Sequence, residues 1–121
     1  MNTTIRDRLR DALRSVSGAR GVLGALLADA QDGIVVASSL DVGLDADAVA
    51  ALVASMMVHA DRAAALAGRG DAGVLHLHAQ RGWLCAARAG EHVIVVVADR
   101  RAPKGPVRSA LLRARASLAS L

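Results

Sequence analysis

Residues 45–68, DADAVAALVASMMVHADRAAALAG, read as a helix with more apolar surface than a single contact covers. Asp45 is a natural N-cap, Asp47 in the first turn meets the positive end of the helix dipole, and Gly68 and Gly70 supply the stop. Val49, Leu52, Val53, Met56, Ala60 and Ala63 form one stripe at helical spacing, wide enough to lie on a sheet. A second stripe holds Ala50, Ala54, Met57, Val58, Ala64 and Ala65, and only Ser55, His59, Asp61 and Arg62 wet the surface. That second face also needs cover, from another layer of the same domain or from another subunit.

Strand patterns flank this helix on both sides. Before it, Gly24–Asp29 and Gly33–Ser39 are short runs rich in Leu, Ile and Val around the turn Ala30-Gln31-Asp32-Gly33, a hairpin signal, and Leu40–Leu44 leads into the helix. After it, Val74–Ala79, Trp83–Ala89 and His92–Ala98 are joined by Gln80-Arg81-Gly82 and Gly90-Glu91, short enough for a three-strand antiparallel meander. Val93–Val97 is β-branched throughout, as in a central strand covered on both faces; Val74–Ala79 alternates and suits an edge. At the ends lie two amphipathic helices. The first, capped by Thr3 or Thr4, buries Ile5, Leu9, Ala12, Leu13 and Val16 and exposes Arg6, Arg10 and Arg14. The last starts near Pro103 and Pro106 and buries Val107, Leu111, Ala114, Leu118 and Leu121. The expectation is an α+β fold of order α-β-β-α-β-β-β-α: a five-stranded antiparallel sheet sandwiched between the long central helix and the two terminal helices.

Bulk properties narrow the class. A chain of 121 residues suffices for one core, so residues 1–121 are expected to be a single domain. Its 54% hydrophobic content gives a mean hydropathy of +0.37, yet charges and small polar residues interrupt every long apolar run, and neither an integral membrane segment nor a signal peptide is expected. A cytoplasmic address follows by default. A net charge of +4 and a pI near 10.9 invite a nucleic-acid reading, but the arginines are scattered and one aromatic residue offers no stacking platform, so no nucleic-acid partner is expected.

Catalytic chemistry is sparse. No G-x-x-x-x-G-K-[ST] run occurs, and the glycines of 18–24 precede a strand instead of following one into a helix. His76 and His78 share a strand face. If Ala79 pairs with Trp83, Cys85 lies opposite Leu77 and points away from them; if Gln80 pairs with Trp83, it lies opposite His78. No further ligand is visible nearby, so no metal and no cofactor are expected, and Cys85 lacks an orienting group for a nucleophile.

The element order, the stretches GVLGALLADAQDGIVVASS (21–39), DADAVAALVASMM (45–57) and GPVRSALLRA (105–114), and the short signatures Gly21-Val22, Asp32-Gly33 and Gly105 with Val107-Arg108 resemble the Roadblock/dynein light chain family, especially the bacterial branch that partners Ras-like small GTPases. Ala30, an extra residue in the first hairpin, and the Gly105-Pro106 pair depart from its pattern. The resemblance implies a homodimer with the long helices side by side and the third strands paired edge to edge. The interface residues expected are Ala50, Ala54, Met57, Val58, Asp61, Val74, His76 and His78. It further implies a non-enzymatic regulator or scaffold that binds a Ras-like GTPase and modulates its GTP cycle, through Val36, Ser38, Leu40, His59 and Arg62. The alternatives are a small-ligand sensor of profilin-like or PAS-like architecture and a thiol or metal enzyme at His76, His78 and Cys85.

Overall fold

A computed structural model describes residues 4–40 and 43–119. The expected order is what forms: α1 (Ile5–Ser17), β1 (Val22–Asp29), β2 (Val35–Leu40), α2 (Ala46–Leu66), β3 (Val74–Ala79), β4 (Gly82–Ala89), β5 (His92–Asp99) and α3 (Lys104–Ala119). Thr3, Leu121 and positions 41–42 of the connection into α2 lie outside the described residues, as do the side chains of Ile5 and Arg6.

All five strands join one antiparallel sheet in the order β2-β1-β5-β4-β3. β5 is the middle strand, and its Val93, Ile94, Val95 and Val96 are all buried, as their unbroken apolar run requires. The two sheet faces have separate cores. Ala25, Leu27, Trp83, Cys85, Ile94 and Val96 pack under α1 and α3; Leu26, Ala28, Ala86, Val93 and Val95 pack under α2. Helix α1 starts with a capping box, in which the Thr4 hydroxyl accepts from the Asp7 N–H at 3.1 Å, and buries Leu9, Ala12, Leu13 and Val16.

Helix α2 begins where the sequence places it. The Asp45 carboxylate accepts from the Ala48 N–H at 3.1 Å, and Asp47 lies in the first turn. At its other end the N–H groups of Gly68 and Arg69 return to the carbonyls of Ala65 and Ala64, the paired bonds of a Schellman stop, with Gly68 at φ +74°. By length and composition α2, 21 residues with an 18-residue window at a mean hydropathy of 1.4, is apolar enough to cross a membrane, but Ala50, Val53, Ala54 and Met57 are buried on the sheet.

The phase of that helix corrects the sequence reading. Ala50, Ala54 and Met57, expected at a subunit contact, are 1%, 6% and 0% exposed inside their own chain, whereas Leu52, expected on the sheet, is 66% exposed. Residues 50, 53, 54 and 57 sit three and four apart on one stripe, which ridge packing turns towards the sheet; the opposite stripe carries the surplus. Helix α2 therefore keeps an apolar exposed side, with Leu52, Val58 (55%) and Leu66 (81%) on it.

Two hairpins differ in detail. Val36 forms a bulge in β2, since Leu27 pairs with Ala37 but Ala28 pairs with Val35. The turn ahead of it is held by Asp29, whose Oδ1 accepts from the N–H groups of Asp32 (2.9 Å) and Gln31 (2.8 Å), which keep the carboxyl below its usual pKa. In the β3–β4 hairpin Gly82 belongs to the strand and not to the turn; a Cβ there would lie 2.2 Å from the Ala98 carbonyl oxygen of β5. Gly21, at φ +83°, is required twice over, because its position presses on Ala102 ahead of α3, and a Cβ would lie 2.5 Å from that side chain.

Candidate functional site

Strand β3 is one free edge of the sheet. It pairs with β4 in six unbroken steps, Val74–Ala79 against Ala87–Gly82, without a bulge. This register matches neither sequence alternative: Cys85 lies opposite His76, and Trp83 opposite His78, because the turn contains only Gln80 and Arg81. On the α3 side of this edge His76 stacks on His78 (centroids 4.6 Å, planes 9° apart) and tilts against Trp83 at 5.0 Å. Lys104 Nζ is 3.5 Å from His78 Nε2. His76 Nε2 and Trp83 Nε1 are buried with no hydrogen-bond partner among the described residues.

This cluster is poorly suited to cations. Burial, then the charges of His78, Lys104 and Arg108, pushes the His76 pKa down, while burial pushes the Cys85 thiol up against the weaker opposing pull of Arg108. A thiol held protonated is neither a ready nucleophile nor a metal ligand. Among the described residues no group of three or more His, Cys, Asp or Glu is placed to hold a metal.

Asp61, expected at the subunit contact, is engaged inside the chain. It pairs with Arg88 of β4 and its Oδ1 accepts from the Ala72 N–H at 2.9 Å. Partial burial works to raise its pKa, but the Ala72 N–H, the Arg88 guanidinium and the Gly73 N–H outweigh it and hold the carboxyl below its usual value. The carboxylate thus ties the second half of α2 to β4 through Arg88 and to the approach to β3 through Ala72.

The remaining expected residues fall into different neighbourhoods. Val74 and His76 are half-buried on β3, and His78 is exposed there. His59 and Arg62 lie exposed on the outer side of α2, in company with Leu52, Val58 and Leu66. Leu40 packs on the α2 side of β2, whereas Val36 and Ser38 line a groove beside α1. The five residues assigned to a GTPase do not form one patch. Leu52 and Leu66 were missed; their signal was helical spacing opposite Val53 and Met57, masked by alanine on both sides of the helix.

The profile of the Roadblock/LC7 domain matches residues 9–99. The gliding protein MglB of Thermus thermophilus has the same architecture at 27% identity, with a TM-score of 0.85 over 99% of this chain and 92% of that one. A structure of MglB in a tetrameric arrangement is 29% identical over 99% of this chain and 91% of its own, with a TM-score of 0.85. Uncharacterized proteins of Methanocaldococcus jannaschii share 29% identity over 102 residues, covering 84% of this chain and 89% of theirs. With the profile spanning most of the chain and the architecture agreeing element by element, this protein belongs to the Roadblock/LC7 domain family.

Proposed function

We propose that the protein is a homodimeric, non-catalytic regulator or scaffold of a Ras-like small GTPase, acting in the cytoplasm on that partner's GTP cycle. The observation that carries this reading is the outer side of α2, where Leu52, Val58 and Leu66, 66%, 55% and 81% exposed, are the exposed large aliphatic side chains among the described helical residues. Beside it runs β3, an unbulged edge with unpaired backbone groups; on the other face of the sheet Nε2 of its His76 and Nε1 of Trp83 on β4 find no partner among the described residues. A second copy placed with its α2 against this one and its β3 along this edge covers both features at once. MglB, which assembles into a tetrameric arrangement, supports association through surfaces of this fold.

His59 and Arg62 lie on the same outer side of α2 and are the candidate contacts for the GTPase, with Leu40 of β2 packed on the α2 layer. The regulator reading is preferred over an enzyme because the basic surroundings of His76 and the raised pKa of Cys85 oppose metal and thiol chemistry. Sedimentation of the purified protein at micromolar concentration tests the dimer, with a monomer as the contrary result. Capture of GTP-loaded over GDP-loaded small GTPases from native extract tests the partner, and equal or no capture counts against it. His59→Ala and Arg62→Ala are expected to weaken capture; because both lie among Leu52, Val58 and Leu66, their sedimenting mass is measured as well, and a loss of capture with the dimer intact supports a direct contact whereas a loss that follows dissociation counts against one.

A further inference from the structure

The other sheet edge, β2, borders a groove of about 640 Å3 against α1. Leu9 and Leu13 form its floor, Arg10 and Arg14 stand on its helix side, and Val36 and Ser39 lie on its strand side. Both arginines are exposed, and among the described residues neither pairs with a carboxylate. Beyond the Val36 bulge, Ala37–Leu40 pair regularly with β1 and leave alternate backbone groups of their outer edge open. We propose that this edge and groove form a docking site for an extended, acidic segment of a partner protein, added to the sheet as a sixth strand.

Three features select that occupant. An open strand edge recognises extended backbone. Arg10 and Arg14 are one helical turn apart, a rise of about 6 Å, which is close to the ~6.6 Å between alternate side chains of a strand. Carboxylates at alternate positions of an added strand therefore reach both guanidiniums, while the residues between them face the other way. A second copy of this chain does not fit: Val35–Leu40 is VVASSL, without a carboxylate, and pairing two such edges would bring two sets of arginines together. The site shares Val36 and Ser38 with the residues expected at a GTPase, but it goes beyond that reading through Arg10, Arg14 and the open strand edge, which that reading does not use.

The test uses a fluorescein-labelled heptapeptide of alternating glutamate and valine, its lysine–valine counterpart, and the full-length protein. Fluorescence anisotropy is expected to show saturable binding of the acidic peptide, weakened more than tenfold between 50 mM and 500 mM salt, and no binding of the basic one. Amide hydrogen exchange is expected to slow at residues 37–40 on binding. Arg10→Glu with Arg14→Glu should lose at least tenfold in affinity, and Arg10→Gln with Arg14→Gln serves should the charge reversal disturb folding. No binding of the acidic peptide, equal binding of the basic one, unchanged affinity in the variants, or protection elsewhere overturns the proposal. So does β2 protection that rises with protein concentration in the absence of peptide, which would identify a second copy as the occupant.

Discussion

The two edges of the sheet differ in how each resists uncontrolled pairing. Strand β2 is bulged at Val36, serine-rich beyond it, and overlooked by two unpaired arginines, so it repels its own copy. Strand β3 is regular from end to end, half-buried at Val74, Leu75 and His76, and flanked by α2 with its exposed aliphatic side. An edge that is flat and adjacent to apolar surface suits a permanent neighbour; one that is kinked and charged admits only a complementary one. The contrast lies in local irregularity and charge, not in β-propensity.

The strongest way to break this contrast is to spoil the apolar side of α2. Leu52→Asp with Val58→Asp would bury two unpaired carboxylates in the proposed subunit contact; association is expected to weaken by ~1,000-fold, about 4 kcal/mol, leaving a folded 12.4-kDa monomer by sedimentation. Next comes Met57→Ala, on the sheet side of the same helix, which should cost ~2–5 kcal/mol of folding stability in urea melts, with the sedimenting mass unaltered. If instead Met57→Ala dissociates the protein and the aspartates do not, the phase of α2 is assigned backwards. Asp61→Asn removes the ion pair beside β3 and is expected to cost about 1 kcal/mol. Because the folded Asp61 carboxyl titrates below its ordinary 3.8, its contribution is complete above that pH and is lost as acid carries the pH down through the folded value; the variant should flatten that acid limb. The smallest effect belongs to His76. Its folded pKa lies below the ordinary 6.5, so the unfolded chain binds the proton more readily, and stability should be full above pH 6.5 and decline beneath it. His76→Leu should level that decline in thermal melts at pH 7.5 and 5.5.

The element order was legible because helix caps, turn glycines and the β-branched run of β5 act locally. Asp45, Gly68, Gly90 and Val93–Val96 each do in the structure what their chemistry implies. The phase of α2 was not legible, since alanine is neutral between core and surface, and nine of its 21 residues are alanine. Register failed for a different reason. Gly82 looks like a turn residue, but it is glycine because Ala98 of β5 approaches it, a cause sixteen positions away along the chain. The interaction surfaces were harder still, because the groove beside α1 joins that helix to β2, with all of β1 between them along the chain.

The contact between Gly21 and Ala102 has a mechanical consequence. It sits where α1 hands over to β1 and where β5 hands over to α3, and the Asp99 N–H donates to the Gly21 carbonyl at 2.9 Å in the same place. With no room for even a methyl group, this junction behaves as a rivet between the two ends of the chain. Force or displacement applied to the C-terminal helix is transmitted to the N-terminal one, so whatever grips one of them steers the pair.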